Sequence, residues 1–334
     1  MNTFNFFFAL FTATFVFASA VAPTAGTCDV SSYNVVWNNF MNETSGFYIN
    51  TMPLGNGDLA ANLWFDEEGG RIIFIVSSQR AWSEANQVIK IGRVEYKFDP
   101  NPFAGAKDLE ITMDLPSASV HFSMTAFSTP IAGRAYIHSD MNVGVLEMTS
   151  FSSVYTITPS LTMIRPTDTT EVPTFDCMNY TTSADVQVTD EEFNIIYHRN
   201  SDKMNYVKTT LEQLNLEKLT PEIYDPYTNL TMGLLMSNKE DHKDNIYTFT
   251  AFIDQTHSVE TYLSSAKHVA RTSIPSYGNH LKWWTKFWSA SNICITTAEG
   301  FQVAKKYNIN RMLQNGMQGR SKFFVFFFYQ TTLR

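Results

Sequence analysis

The sequence predicts a mainly β protein: two packed antiparallel β-sheets first, helices afterwards. Two observations carry this. From about Val35 to Ile253, short apolar runs alternate with period two and are broken by Gly, Pro, Asn and Asp. From Val259 onward the apolar spacing becomes helical. Many short strands without helices between them bury their apolar faces most simply as two packed sheets.

The elements follow in order. Residues 1–20, "MNTFNFFFALFTATFVFASA", read as a signal peptide cleaved after Ala20, at the small-x-small pattern Ala18-Ser19-Ala20. No Lys or Arg precedes the apolar run, so only the amino terminus is positive there. A membrane anchor is the alternative, and it would need about 20 apolar residues. An N-terminal segment, 21–34, leads into the sandwich domain, 35–258. Strands are expected over Arg71–Ser77, Val94–Phe98, Glu110–Leu115, Ser119–Ala126, Arg134–Ser139, Val143–Thr149, Tyr155–Met163, Phe193–Tyr197 and Tyr247–Ile253. In "SVHFSMTA", Val120, Phe122 and Met124 point one way and His121, Ser123 and Thr125 the other. The linker, 259–320, holds a helix over Val259–Thr272 and another over Ser276–Ser289, with Leu281, Trp284 and Trp288 at helical spacing. A short strand, Asn292–Thr296, precedes a capping box, Thr296-Thr297-Ala298-Glu299, that opens a last helix to about Asn315. The tail, 321–334, includes "KFFVFFFYQTTLR", an apolar run without amphipathic period.

With 334 residues, 44% of them hydrophobic and 17% charged, the chain can bury a substantial core. A formal net charge of −8 argues against a phosphate-backbone partner, so no nucleic acid is expected. Secretion would make Asn42, Asn179 and Asn229 glycan acceptors, each heading an Asn-x-Thr triplet, and would leave no membrane segment after cleavage. The three cysteines, Cys28, Cys177 and Cys294, allow at most one internal disulfide and leave one thiol over. Their spacing selects no pair, and buried free thiols are the alternative.

Common catalytic signatures are missing: the chain has no His-Glu-x-x-His, Gly-x-Ser-x-Gly or phosphate loop, and no cofactor or metal site is expected. Asp66-Glu67-Glu68-Gly69-Gly70 reads as a solvated hairpin turn. Four segments combine an aromatic residue or Gly with strong hydrogen-bonding side chains, as a sugar site requires: Gly55-Asn56-Gly57-Asp58, Ala81-Trp82-Ser83-Glu84, Lys90-Ile91-Gly92-Arg93 and Tyr197-His198-Arg199-Asn200. Each also reads, taken singly, as a structural corner. The opening turn in "MPLGNGDLAANLWF" is ambiguous in the same way, either a plain tight turn or a loop presenting polar groups.

Trp37, "MPLGNGDLAANLWF", "AWSEANQVIKIGRVEYKFDP", "LEITMDL", "IIYHRN", "DPYTNLTMG", "HLKWWTKFW" and "YNINRMLQNGMQGR", in this order, resemble the amino-terminal domain of domain-of-unknown-function family 5703. More distantly they resemble the same region of family 95 glycoside hydrolases, in the six-hairpin glycosidase superfamily. The resemblance implies a supersandwich, a helical linker and an (α/α)6 barrel with the catalytic carboxylates. After Arg320 this sequence departs into "SKFFVFFFYQTTLR", so a truncated, glycoside-hydrolase-like chain without catalytic residues is expected, inactive alone. A retained intron or a frameshift would produce such an end. The resemblance further implies that Asn56, Asp58, Trp82 and Glu84 help wall a carbohydrate pocket and that the missing barrel is the packing partner; Lys90, His198 and Arg199, from the other two segments, complete the candidate sugar-binding residues. Glu84 reads first as a residue orienting Trp82 or Lys90, not as half of a hydrolytic pair. A stand-alone carbohydrate-binding module, stacking sugars on Trp82, Trp283 and Trp284, is the competing function. The three tryptophans of that helix read instead as a ridge packed against the barrel.

Overall fold

A computed structural model of the protein describes residues 29–41, 50–84, 86–171, 180–201, 206–238 and 245–318. The signal-peptide, Cys28, Cys177, Asn42, Asn179 and tail readings lie outside them. The strands are β1 (Val35–Trp37), β2 (Met52–Gly55), β3 (Leu59–Asp66), β4 (Arg71–Trp82), β5 (Val88–Asp99), β6 (Lys107–Asp114), β7 (Ser119–Ala126), β8 (Thr129–Ile137), β9 (Val143–Ser150), β10 (Thr156–Thr162), β11 (Thr169–Glu171), β12 (Tyr180–Thr182), β13 (Val186–Thr189), β14 (Phe193–Arg199), β15 (Leu230–Ser237) and β16 (Ile246–Gln255). The helices are α1 (Tyr206–Gln213), α2 (Val259–Thr272), α3 (Tyr277–Ala290) and α4 (Ala298–Gln318).

Nine strands form one antiparallel sheet in the order β1-β6-β7-β8-β9-β16-β15-β14-β13, and five form a second, β10-β5-β4-β3-β2. The alternation in the sequence is the sandwich seen edge-on: on β7, Val120, Phe122 and Met124 are buried in the inter-sheet core. Rings meet across it, with Phe74 edge-on to Phe249 and Phe65 edge-on to Phe122, while Tyr96, beside Phe74 on the same sheet, also meets it edge-on.

Where a strand is covered on both faces the alternation vanishes. On β4, Ile72, Phe74 and Val76 face the core, while Ile73 and Ile75 pack with Trp64 and Ile164 on the opposite face. On β15, Met232 and Leu234 enter the core and Leu235 lies under Tyr262 and Ala266 of α2. The expected strand list omits β15 for this reason: "LTMGLLMS" has no polar face to mark it.

The linker differs from expectation in three ways. Asn292–Thr296 is not a strand; Ile293 instead exchanges bonds with the Asn308 side chain, 3.4 Å for its N–H and 2.7 Å for its carbonyl. The last helix is capped by Thr297, whose hydroxyl accepts the Gly300 N–H at 3.2 Å, so the cap is one residue later than the Thr296 box. Finally, Trp284 and Trp288 do not form an outward ridge. Both are buried in the sandwich core, and Trp288 Nε1 donates to the Leu115 carbonyl at 2.8 Å. The period of Trp284 and Trp288 marks a buried face, but periodicity cannot say which neighbour buries it.

Cys294 is disulfide-bonded. Among the described residues no helix is long and apolar enough to cross a membrane.

Candidate functional site

The Gly55–Asp58 loop joins β2 to β3. Gly57 takes φ 90°, a conformation open to glycine, and its N–H donates to the Gly316 carbonyl of α4. Gly55 is equally constrained, since a Cβ there would sit 2.6 Å from the same carbonyl oxygen. The Asn56 carboxamide closes the turn: its Oδ1 accepts the N–H groups of Asp58 and Leu59 at 3.0 and 2.8 Å. Its Nδ2 donates to the carbonyls of His138 and Met141 at 2.9 and 2.8 Å, in the connection between β8 and β9. Asn56 thus pins a corner of the smaller sheet to the larger one. Asn56→Ala leaves four backbone groups at this joint without their partner, and is expected to lower unfolding free energy by about 2–4 kcal/mol in urea denaturation.

Asp58 stands beside it. Its carboxylate accepts from Arg80 (3.0 and 2.6 Å), Ser78 Oγ (2.9 Å) and Asn142 Nδ2 (2.8 Å). Burial pushes this carboxyl up, but the Arg80, Asn142 and Ser78 bonds override it and hold the group below the usual Asp value.

The second cluster lies beyond the end of β4. The β4–β5 connection turns at Ser83–Gln87, where the Asn86 N–H donates to the Ser83 carbonyl and Asn86 takes φ 58°. The turn folds Glu84 inward against β14 and the β12–β13 connection, leaving it 1% exposed. Glu84 Oε1 accepts from Ser183 Oγ at 2.5 Å and from the N–H groups of Ser183 and Ser201 at 3.2 Å. Its Oε2 faces His198 Nε2 at 3.2 Å. On the other side of the ring, His198 Nδ1 meets Asp185 Oδ1 at 3.4 Å, a charge contact without good hydrogen-bond direction. Asp185 is in turn paired with Arg165 at 2.7 Å. Burial would raise the Glu84 carboxyl, but the bonds from His198 and Ser183 hold it down at about 2. For His198, burial and Arg165 act to lower the value, and the contacts with Asp185 and Glu84 overcome them to raise it.

The remaining residues border these clusters. Arg199 makes a five-bond clamp on Asn229 O and Oδ1, Thr231 Oγ1, and the carbonyls of Thr256 and His257, at 2.7–3.4 Å. Trp82 is half-buried, donates from Nε1 to Gln79 O at 2.7 Å, and has its ring centroid 6.4 Å from that of Tyr227. Asn200 bridges the two clusters' neighbours, donating to the carbonyls of Trp82 and Tyr227 at 3.0 and 2.9 Å. Lys90 is half-buried on β5 opposite Ser77, and the β4–β5 pairing shifts register between there and the Trp82–Val88 pair.

Asp58 meets β4 at Ser78 and Arg80 in a network it shares with Asn56 through Asn142, and just past the end of that strand Glu84 and His198 form a second; Trp82 and Arg199 border the second, and Lys90 lies on β5 opposite Ser77. The partners of Glu84 include Ser183, Ser201 and His198. Asp185, Arg165, Ser183, Arg80 and Asn142 were not singled out by the sequence. They are ordinary polar residues in strands and turns, and only long-range pairing brings them to the cluster. At Asn229, Oδ1 is the acceptor used by Arg199. Among the described residues no group of three His, Cys, Asp or Glu could hold a metal ion.

Comparison with solved structures gives "Putative kojibiose phosphorylase from human microbiome", 13% identical with a TM-score of 0.45; the match covers 86% of this chain and 41% of that one. The chain thus spans less than half of that protein's length. No curated protein matches. Residues 36–253 match the family described as "Domain of unknown function (DUF5703)", in its N-terminal part. That match covers more than half of the sequence, and the chain belongs to this family.

Proposed function

We propose that this chain is the N-terminal sandwich of a secreted glycoside-hydrolase-like protein and forms one wall of a carbohydrate pocket. The hydrolytic carboxyl groups would come from a separate barrel domain, its packing partner, so the chain alone would be inactive. The observation that carries the reading is Trp82: an indole, half-buried, fixed through Nε1 and by Tyr227, at the rim of a rigid polar end. A sugar ring needs such an apolar plate beside fixed hydrogen-bonding groups.

In this reading the seven residues divide their work. Trp82 and Lys90 meet the sugar, while Asn56, Asp58, Glu84, His198 and Arg199 hold the wall in shape because their polar atoms are turned to protein partners. Secretion would place glycans on Asn42, Asn179 and Asn229. The buried Glu84 is no general acid or base for a sugar bond, since no substrate oxygen can approach a carboxylate 1% exposed and already bonded to Ser183, Ser201 and His198.

The test is a glycan array with the secreted chain, followed by calorimetric titration of any hit. Trp82→Ala is expected to weaken binding at least about tenfold, roughly 1.4 kcal/mol, with the thermal midpoint nearly unchanged. No binding by the wild-type chain, or equal binding by the variant, would overturn the reading.

A further inference from the structure

Three of the seven histidines, His121, His138 and His280, stand around the first turn of α3. There Tyr277 packs with Tyr136, Val143 and Val145 on the face of the larger sheet turned away from the core. We propose that these histidines form an acid-released latch: neutral, they hold the amino-terminal turn of α3 on the sheet, and protonated, they let it go. This does not depend on the carbohydrate reading.

His280 is buried, and its ring spans the junction. Its Nε2 lies 2.7 Å from the Ser117 carbonyl oxygen, which can only accept, so the ring proton sits on Nε2. Nδ1 is then the bare nitrogen, and it accepts the Ser139 N–H at 3.2 Å. One ring thus ties α3 to the β6–β7 and β8–β9 connections. His138, also buried, accepts the Asp140 N–H on Nδ1 at 3.1 Å, and its ring centroid lies 6.0 Å from that of His280. A proton added to either Nδ1 sets N–H against N–H, and two cations at that spacing repel.

His121 completes the set from β7. Asp114 accepts from the Ser117 hydroxyl, which lies 2.5 Å from the Ser119 hydroxyl, itself 2.8 Å from His121 Nε2. An ionised carboxylate only accepts, so each hydroxyl donates toward Asp114 and His121 Nε2 donates to Ser119. The Tyr277 hydroxyl of α3 stands 3.3 Å from the same nitrogen. Arg134, the cross-strand neighbour of His121 on β8, holds its guanidinium 3.4 Å from the centroid of the Tyr277 ring and is paired with Glu147 of β9. A charge on His121 would face this cation and the positive amino terminus of α3.

Burial lowers all three rings, and it prevails over every opposing group. At His121, Asp114 opposes it and Arg134 adds to it. At His138 the Ser276 backbone and Asp140 oppose it. At His280 the Ser117 carbonyl and Asp140 oppose it, while His138 and Arg134 add to it, and the ring is brought down to about 4. Each ring returns to its ordinary value of 6.5 on release, so docking is complete above 6.5 and weakens as the pH falls toward about 4. Release would uncover Tyr136, Val143 and Val145. It would also loosen the β8–β9 connection, where the His138 and Met141 carbonyls hold Asn56.

Amide exchange of the full chain at pH 7 and pH 5, corrected for the intrinsic pH dependence of exchange, tests the latch. Opening of the first turn of α3 is expected to rise at least about tenfold at pH 5, the His280 change from 6.5 to about 4 alone supplying roughly twentyfold, while β4 stays nearly constant. No rise in α3, or an equal rise in β4, would overturn it. His280→Asn keeps a donor and an acceptor on its carboxamide but takes no proton, so its step between the two pH values is expected to be at least about threefold smaller. A step of wild-type size would overturn the latch. Nitrogen NMR of the wild-type rings needs no variant: titration midpoints below 6.5 are expected for all three, and midpoints at or above 6.5 would overturn it.

Discussion

Glu84→Ala is expected to destabilise the protein by about 3–5 kcal/mol, read by urea denaturation near neutral pH. The change removes the acceptor of Ser183 Oγ and two backbone N–H groups, and it leaves His198, 0% exposed, facing Asp185 beside the Arg165 charge. Glu84→Gln keeps the volume and part of the bonding but not the charge, so its cost is expected to be smaller. A loss under about 1 kcal/mol for Glu84→Ala would show that the network is not closed around this carboxylate.

The same network sets a pH dependence with two limbs. The Glu84 value is lowered from 4.5 to about 2, so its contribution is present above 4.5 and lost as the pH falls through about 2. The His198 value is raised above 6.5, so its contribution is complete below 6.5 and lost as the pH rises through the folded value. His280 has the opposite sign. Burial lowers it to about 4, so its effect favours the fold above 6.5 and is lost as the pH falls through about 4. The stability difference between wild type and His198→Phe cancels the His280 contribution common to both. That difference is expected to be largest between about pH 4.5 and 6.5 and to shrink on the alkaline side.

Trp284→Ala is expected to cost about 3–5 kcal/mol and to loosen the docking of α4. The indole is 1% exposed, meets Phe287 edge-on with centroids 5.3 Å apart, and lines a void of about 20 Å³ with Gly55, Met312, Leu313 and Gly316. Truncation would enlarge that void at the contact where Gly57 meets Gly316, so amide exchange in α4 is expected to accelerate more than in β7. Unaltered exchange in α4 would mean that the helix is held by other contacts.

Much of this fold is legible in the sequence because most strands have one solvated face. "SVHFSMTA" alternates visibly, and β7 occupies Ser119–Ala126 as expected. Legibility fails where both faces are covered, as on β15, and where a segment is held by a distant side chain, as Asn308 holds Ile293. In the candidate site, the types and positions of Asn56, Asp58, Glu84, His198 and Arg199 signalled unusual bonding. Their partners did not, because Asp58–Asn142, Glu84–Ser183 and Glu84–His198 are pairings 84, 99 and 114 residues apart in sequence. Gly55-Asn56-Gly57-Asp58 proves to be a tight turn with a second duty, joining the two sheets and α4 through its polar atoms.

The central claim is that this end of the sandwich is preorganised around the buried His198 ring, which lies between the Glu84 and Asp185 carboxylates and is raised by them above its ordinary value. Long-range proton–nitrogen NMR of His198 tests it most directly, because the two ring nitrogen shifts report protonation separately. Protonation of both nitrogens at pH 6.5, with a titration midpoint above that value, is the expected result. A ring protonated on one nitrogen at that pH, titrating below 6.5, would contradict the account.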